Sequence, residues 1–420
     1  MDTKPQNIKH LTTSRPHHFA NQPNTMPSPL TSLRILDFST LLPGPYATMI
    51  LADLGADVIR IEAPDRLDLV RSMPPFDGDQ SAWHSLLNRN KRSLALDLKE
   101  PEAVEIIQRL VQSYDIVVES FRPGVMDRLG VGYASLAAIN PRLIYCAITS
   151  YGQTGPLAER AAHDLNSLAL AGVLQHTGRA DSGPLPLGVQ IADIGSSHNA
   201  VTGILAAVIQ RMRDGLGQYI DISMFDSALA WNALAAANFL VGGEQPQREA
   251  MVLNGGGFYD LYRTSDGRHL AVASLEPKFW QGFCQAIGRI DLLGGGYNPD
   301  PAVQRQLKIA IQQTIAARPL AEWQAIFARL DVCVEAVLNA DESLAHPQTQ
   351  ARGMVVAVPK PDGSTQQQIG SPIRFSASQP DYRFIGVSAG EHNDEILGVG
   401  HRFVQVTVTG QNDSGESGCL

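Results

Sequence analysis

The sequence predicts an α/β protein, with a Rossmann-like parallel sheet in a large domain and a smaller α+β domain. Three observations predict this class. The chain has 420 residues, 44% of them hydrophobic, which is enough for more than one buried core. Strand and helix patterns alternate through the first half. After about residue 250 the pattern changes to short strands joined by turn residues, which is typical of antiparallel pairing.

The N-terminal half indicates repeated βαβ units, with ordered structure beginning near Leu33. The expected strands are LRILDFS, DVIRIEAP, SLALDLK, DIVVES and LIYCAITS. Helices are expected between them in PGPYATMILADLGA, which prolines open, and in PEAVEIIQRLVQSY. Two long helices separated by the strand GQYIDISM are expected over residues 203–240. Strands that alternate with helices in this way form a parallel sheet covered by helices.

The later part of the chain indicates a different architecture. YDLYRTSDGRHLAV predicts two antiparallel strands around the turn Asp266-Gly267, and Pro277 opens a helix. Glycines 255–257 are expected to form a structural linker beside the functional site. Residues from about 350 to 400 return to short strands. Four aromatic side chains are expected in the core of the smaller domain: Phe258, Tyr259, Phe279 and Trp280.

Composition and motifs exclude several function classes. The net charge is -9 and no Lys/Arg run is present, which argues against nucleic-acid binding. No GxGxxG follows the first strand and no GxxxxGK[ST] occurs, so dinucleotide and NTP binding have little support. The eleven histidines show no metal-ligand spacing such as HExxH, and no metal is expected.

The same survey bears on location. The sequence has no apolar run of membrane-spanning length, and its first thirty residues lack the apolar centre of a secretory signal. We therefore expect no membrane association. The four cysteines are widely spaced and form no CxxC pair, which favours a reducing cytoplasm: Cys146, Cys284, Cys333 and Cys419.

Two separated segments carry candidate proton-transfer groups. His163 and Asp164 precede the helical pattern LNSLALAGVL, and Asp193 follows in GVQIADIG. An imidazole with a near-neutral pKa is suited to removing a weakly acidic proton, and backbone N–H groups at a helix start can stabilise an oxyanion. Two bases on opposite faces of one carbon can invert it. Each residue also has a structural alternative: His163 as a cap or surface group, and Asp193 as a turn residue.

A series of motifs in order resembles the class III coenzyme A transferase superfamily, and within it the α-methylacyl-CoA racemase branch. The resemblance spans Leu33 to about Gly398. It rests on LLPGPYATMILADLGADVIRIEAP, NRNKRSLALDLK, ESFRPGVMDRLG, NPRLIYCAITSYGQTGP, HDLNSLALAGVL, YRTSDGRHLAVASLEPKFW and GEHNDEIL. It implies acyl-CoA substrates and an interlocked homodimer. It also implies a large domain built from both ends of the chain and a small domain from its middle.

The resemblance also implies residue roles. His163 and Asp193 match the two acid/base positions of the racemase branch, and Glu276 is expected to assist. The alternative for Glu276 is a charge that stabilises a helix N-terminus. In the transferase branch Asp164 would attack the acyl-CoA, whereas in the racemase branch it would cap a helix and contact substrate. The racemase motif usually has Gly and Tyr where this chain has Ala162 and Ser167, so the acyl pocket is expected to differ in shape.

Coenzyme A contacts are expected at the carboxyl ends of the strands, where ligands bind parallel sheets. An arginine of the family pattern is replaced by Ala63, leaving Arg66 or Arg60 for a phosphate contact. Lys91, Arg92 and Arg122 are further candidates for phosphate binding, with ordinary solvated charge as the alternative. The positions carried over from the family are Leu96, Asp97, Leu98, Lys99, Ser120, Phe121 and Arg122.

The sequence thus predicts a racemase of 2-methyl-branched acyl-CoA thioesters that acts by 1,1-proton transfer through an enolate. Coenzyme A is part of the substrate, and no separate cofactor is expected. The alternatives are CoA transfer between carboxylic acids through Asp164, and a noncatalytic acyl-CoA-binding protein. Residues 31–240 and 345–400 are expected to form the large domain and 241–344 the small one. Residues 1–30 are expected to be disordered and 401–420 to form a flexible tail.

Overall fold

A computed structural model describes residues 26–398 of the chain. The segment expected to be disordered, residues 1–30, lies outside this range except for residues 26–30, and the expected flexible tail over 401–420 lies wholly outside it. Within it, the backbone N–H of Leu30 donates to the carbonyl of Leu54 at 2.9 Å. The first described residues therefore lie against the first helix.

A six-stranded parallel sheet dominates the N-terminal half and confirms the α/β class. Its strands run in the order β5-β2-β1-β6-β7-β8, and every neighbouring pair is parallel. Two further short strands, β3 and β4, form an antiparallel hairpin. The bounds are β1 Arg34–Asp37, β2 Asp57–Glu62, β3 Phe76–Asp77, β4 Gln80–Ser81, β5 Lys91–Ala95, β6 Ile116–Glu119, β7 Ile144–Thr149 and β8 Tyr219–Ser223.

Helices cover both faces of this sheet. Alternate strand residues point to opposite faces, so Ile35 packs with α1 and α7 while Leu36 packs with α3 and α5. Both layers are apolar and buried, which explains why the strands are hydrophobic runs. The helices are α1 Pro43–Asp53, α2 Ala82–Leu87, α3 Pro101–Leu110, α4 Val125–Arg128, α5 Tyr133–Ile139, α6 Asp164–Leu170, α7 Ile191–Asp214, α8 Met224–Trp231 and α9 Ala233–Gly242.

The second of the two expected long helices is broken. It consists of α8 and α9, which are bent by 68° at Asn232. The Asn232 side chain bonds outside the helix, to His176 at 2.9 Å and to the carbonyl of Ala171 at 3.3 Å. Across residues 26–398 no single helix meets the length and apolarity needed to cross a membrane, and this bent pair alone meets them jointly.

A smaller unit follows, built on a three-stranded antiparallel sheet in the order β11-β10-β9. Phe258 and Trp280 stack at 4.2 Å between ring centroids in its core, as expected, whereas Tyr259 and Phe279 are only partly buried. We call residues 258–336 the small unit. Its elements are β9 Asp260–Arg263, β10 His269–Val272, α10 Pro277–Ala286, α11 Pro301–Ile315, α12 Leu320–Phe327 and β11 Val334–Ala336.

The C-terminal segment returns to the parallel sheet. Asn90, at the start of β5, donates to the carbonyl of Asp381 at 2.8 Å and accepts from the N–H of Arg383 at 2.7 Å. Arg89 donates to the carbonyl of Ile369 at 2.7 Å. These bonds attach the chain end to the N-terminal unit. The elements are α13 Ala340–Ala345, α14 Pro347–Ala351, β12 Val355–Pro359, β13 Thr365–Ile369 and α15 Asn393–Leu397.

A buried ion pair lies inside the sheet. The Lys91 ammonium, fully buried, donates to Asp37 at 3.0 Å, to the carbonyl of Pro45 at 2.9 Å and to Asn88 at 3.1 Å. Asp37 also accepts from Thr48 at 2.5 Å. Burial, partly offset by Asp37, lowers the pKa of Lys91 to about 8. All three ammonium donors are therefore used in holding β5, β1 and α1 together.

Removing this ammonium should destabilise the fold strongly. Lys91→Met leaves the Asp37 carboxylate buried without its counter-charge, a change that costs about 3–5 kcal/mol. Chemical denaturation should show this loss. Lys99→Met is the control, because Lys99 is 72% exposed and its pair with Asp65 is 3.4 Å long, and such pairs contribute about 0–1 kcal/mol. Equal losses in the two variants would contradict a structural role for the buried pair.

Candidate active site

The starts of α6 and α7 meet through Asp164. Its Oδ1 accepts the backbone N–H of Ala192 at 2.7 Å and that of Asp193 at 3.3 Å. The residue in the cap position of α7, Gln190, makes no side-chain cap bond. Asp164 therefore caps α7 from outside that helix, in line with the capping alternative considered for it.

Asp193 is the third residue of α7 and not a turn residue, so that alternative is wrong. Its side chain is partly buried and has no hydrogen-bond partner among the described residues. Burial, and then the charge of Asp164, raise the pKa of Asp193 to about 7. A carboxyl in this state is roughly half protonated at neutral pH, so it can donate or accept a proton.

His163 lies directly before α6 and is exposed. Its backbone N–H donates to Oδ1 of Asn166 at 3.1 Å, and its carbonyl accepts the N–H of Asn166 at 3.0 Å. The backbone at His163 is thus fixed by the first turn of α6. Since Asp164 is its neighbour and bonds to α7, the structure brings the His163 backbone to the same helix junction as Asp193.

The two positions that depart from the racemase motif lie beside this junction. The carbonyl of Ala162 accepts a hydrogen bond from Ser150 at 3.0 Å, in the loop after β7. Ser167 is fully buried, and its hydroxyl has no partner within residues 26–398. A serine occupies far less volume than a tyrosine, so Ser167 fills less buried space than the residue of the racemase motif would.

Glu276 stays apart from these residues. It occupies the cap position of α10, where its carbonyl accepts the N–H groups of Phe279 and Trp280, both at 2.9 Å. Its side chain is exposed and makes no cap bond. Within residues 26–398 it forms no hydrogen bond or ion pair with His163, Asp164 or Asp193.

The expected coenzyme A contacts line one edge of the parallel sheet. The chain turns from β1 leftward to β2 and later rightward to β6, so the topological switch lies between β1 and β6. The Ser120 hydroxyl accepts the N–H of Thr40 at 3.0 Å across this point. Phe121 donates its N–H to Glu119 at 2.7 Å. Burial raises the pKa of Glu119 to about 8, so this carboxyl is mostly neutral at pH 7.

The remaining expected contacts surround that edge. Arg66 follows β2, Lys99 follows β5 and Arg122 follows β6, and all three side chains are exposed. Asp97 and Leu98 are partly buried, and Asp97 accepts the N–H of Lys99 at 3.0 Å. The Leu96 side chain belongs to the sheet core, so only its backbone can face a ligand. The three exposed cations therefore remain candidates for a phosphate contact.

Two other expected phosphate ligands are buried and paired, which corrects the expectation for them. Arg60 is 1% exposed and bonds to Asp68 at 2.6 Å and to Asn88 at 2.6 Å. Lys91 is 1% exposed and is bound as described above. Arg92 is partly exposed but pairs with Asp57 at 2.8 Å and with Glu395 at 2.6 Å. Exposure therefore separates ligand candidates from structural charges.

Sequence reasoning missed the polar groups that fix these loops. Asp68 accepts the N–H of Leu41 at 3.0 Å and pairs with Arg60, so it connects the loops after β1 and β2. A signal was present for Arg60, because it is a charged residue between Ile59 and Ile61 in a predicted strand. Among residues 26–398 no group of three His, Cys, Asp or Glu side chains is arranged to hold a metal ion.

Comparisons with known proteins agree with this architecture. The chain is 33% identical over 393 residues to a succinate–glutarate CoA-transferase of Agrobacterium fabrum, covering 90% of this chain and 96% of that protein. It is 34% identical over 380 residues to the human alpha-methylacyl-CoA racemase, covering 88% and 92%. A CAIB/BAIF family protein from Brucella suis has a similar solved structure, with a TM-score of 0.78, 32% identity, and coverage of 89% and 99%.

The sequence model of one protein family, CoA-transferase family III, matches residues 30–393 of the chain. This match covers most of the chain, including every strand of the parallel sheet and all of the small unit. The chain therefore belongs to CoA-transferase family III.

Proposed function

We propose that the protein racemises 2-methyl-branched acyl-CoA thioesters by 1,1-proton transfer. The observation that carries this proposal is the Asp193 carboxyl, which has no hydrogen-bond partner among the described residues and whose pKa is raised to about 7. A racemase needs one group protonated while the other is not. Asp193 can exchange between both states at neutral pH, as an acid/base group requires.

His163 is the proposed second base. His163 is exposed and directly precedes Asp164, which bonds to the start of α7 at Asp193. In one direction neutral His163 removes the α-proton and protonated Asp193 delivers a proton to the opposite face. The reverse direction uses protonated His163 and ionised Asp193. The enolate forms when the α-proton is removed and is consumed when the second group delivers its proton, so the overall reaction neither gains nor loses a proton.

The coenzyme A portion is proposed to bind at the carboxyl edge of the sheet. Arg66, Lys99 and Arg122 supply exposed positive charge there, and the Ser120 hydroxyl connects the loops after β1 and β6. No separate cofactor enters the proposed reaction.

We also propose that the chain forms a homodimer. Several large apolar side chains on α8 and α9 are exposed, including Leu234 at 68%, Leu240 at 79% and Val241 at 90%. Exposed apolar surface of this kind marks an interaction face. A second copy covering it would also explain how Glu276, which stays apart within one chain, could reach a site.

CoA transfer is the second candidate, since most of the named relatives are CoA-transferases, such as the Agrobacterium fabrum protein. In that reaction an aspartate carboxylate attacks the thioester carbonyl, which forms a mixed anhydride and releases CoA thiolate. The thiolate then attacks the aspartyl carbonyl of the anhydride, which forms an aspartyl-CoA thioester and releases the first acid as a carboxylate. The acceptor acid regenerates the aspartate by the same two steps in reverse, and leaves as its own CoA thioester. The sequence suggested Asp164 for this role. Asp164 is engaged as the cap of α7, whereas Asp193 has no such bond, so we propose Asp193 as the nucleophile if the protein is a transferase.

Solvent deuterium should enter the substrate if the protein racemises it. Incubation of 2-methylacyl-CoA in D2O without an acceptor acid should place deuterium at the α-carbon. Both His163→Ala and Asp193→Asn should lower the exchange rate by about 100-fold or more, because each removes a proton-transfer group. Mass spectrometry measures the label. Absence of label with the wild-type protein would rule out racemisation.

CoA transfer predicts a trapped intermediate instead. With acyl-CoA, an acceptor acid and hydroxylamine, a transferase should form a hydroxamate at its nucleophilic aspartate. Peptide mapping distinguishes the residues: modification at Asp193 would support the nucleophile proposed here, and modification at Asp164 would refute it. Binding of acyl-CoA with neither deuterium nor hydroxamate found would support the noncatalytic alternative over both reactions.

The raised pKa of Asp193 also predicts a pH-dependent effect on stability. The unfolded chain ionises this carboxyl above about pH 4, whereas the folded chain keeps it protonated up to about pH 7. Its ionisation therefore weakens the fold as pH rises between these values. Asp193→Asn should raise the free energy of unfolding by about 1–2 kcal/mol at pH 8 and have little effect at pH 4. The exposed-turn variant Asp79→Asn should show no such pH dependence in thermal melts.

A further inference from the structure

Four charged side chains of alternating sign connect three separate segments of the chain. Arg179 pairs with Glu249 at 2.9 Å and with Asp260 at 2.7 Å. Lys308 pairs with the same two acids, at 3.2 Å and 2.6 Å. Asp260 lies on β9 and Lys308 on α11, both in the small unit. We call these four residues the hinge cluster.

The hinge cluster is well bonded for an ionic group near the surface. The Lys308 ammonium also donates to the carbonyl of Gly255 at 2.6 Å, and Glu249 accepts the N–H of Ala180 at 2.9 Å. Burial would raise the pKa of Asp260, but hydrogen bonds from Arg179 and Lys308 keep it below its ordinary value. Asp260 is only 8% exposed at its side chain. A network of this kind contributes more than isolated surface pairs do.

The cluster surrounds the glycine-rich connection that leads into the small unit. Gly255 has a φ of +89°, and a side chain on Gly256 would come within 2.6 Å of the Ala250 backbone. The backbone here therefore needs glycine, at Gly255 for its positive φ and at Gly256 for its close approach to neighbouring backbone. The cations of the hinge cluster hold both sides of this connection, with Lys308 bound to Gly255 and Arg179 to Glu249.

Arg179, the first residue of the hinge cluster in the chain, lies in the segment that follows α6, the helix that begins beside His163. After α6 a 3-10 turn covers Val173–His176, and Arg179 follows it. The carbonyl of Gln175 accepts from Arg248 at 2.6 Å, and that of His176 accepts from Asn254 at 3.2 Å. The segment before the small unit is thus bonded directly to the continuation of α6.

We infer that Arg179 is a positioning residue, which with Lys308 fixes the small unit against the segment that extends from α6. In this role Arg179 does not contact His163, Asp193 or the substrate. It acts by fixing the small unit to the segment that continues from α6, the helix that begins beside His163. Its effect on catalysis rests on the proposed function, whereas its effect on the hinge does not.

Hydrogen exchange on the full-length protein tests the inference without substrate. In Arg179→Met, the amides of Ala180 and of residues 251–256 should exchange at least about tenfold faster, while the melting temperature falls by only a few degrees. Lys308→Met should behave alike. The matched control is Arg268→Met, which breaks a pair with Glu342 of 2.6 Å and similar exposure that lies away from the hinge. Unchanged exchange in Arg179→Met, or equal acceleration in Arg268→Met, would overturn the inference.

Kinetics supply the second readout. Arg179→Met should raise KM for acyl-CoA about tenfold with kcat changed less than about threefold, because the reacting groups are intact. Arg179→Lys should have a KM close to that of the wild-type protein, since the substitution keeps the positive charge. A matching fall in kcat with unchanged KM would overturn the positioning role. If the wild-type protein neither exchanges deuterium nor transfers CoA, but Arg179→Met still accelerates hinge exchange, the proposed function fails and the hinge assignment stands.

Discussion

The candidate site depends on one interhelical bond pair, from Oδ1 of Asp164 to the N–H groups of Ala192 and Asp193. Because Asp164 begins α6 and the two amides begin α7, this contact joins the starts of two helices that are far apart in sequence. It places His163 next to the junction through the peptide bond that joins it to Asp164. It also sets a second carboxyl beside Asp193, whose pKa rises to about 7 as a result of burial and of that charge. This contact therefore fixes the positions of the two residues and adds to the effect of burial on the pKa of Asp193.

The fold could be predicted from the sequence because its signals are local. Apolar strand runs alternate with helices, and the absence of nucleotide-binding glycine motifs argued against the usual ligands of a Rossmann-like sheet. The broken α8–α9 pair was not predictable in this way. Its break depends on Asn232 bonding to His176 and Ala171, residues about sixty positions away, and helical periodicity is insensitive to such contacts.

The site was predictable in part. The sequence and the resemblance selected His163, Asp164 and Asp193 as candidates, but could not show that Asp164 caps α7 and leaves Asp193 as the less engaged carboxyl. For the cations, the sequence suggested more phosphate ligands than the structure leaves accessible. Arg60 and Lys91 resemble phosphate ligands in sequence, yet both are buried in ion pairs, while Arg66, Lys99 and Arg122 remain exposed. Charge type is visible in a sequence, whereas its partner is decided by tertiary packing.

A carboxyl with a pKa near 7 could take part in proton transfer or in nucleophilic attack. Both reactions occur among the named relatives of this chain, which include a racemase and CoA-transferases. The central claim is that Asp193 holds its proton up to about pH 7 because it is buried beside Asp164. Carbon-13 NMR of carboxyl-labelled aspartates over a pH series measures this directly. We predict one resonance that titrates near pH 7, is lost in Asp193→Asn and moves to lower pH in Asp164→Asn. A wild-type spectrum in which the Asp193 resonance has fully titrated below pH 5 would contradict the account.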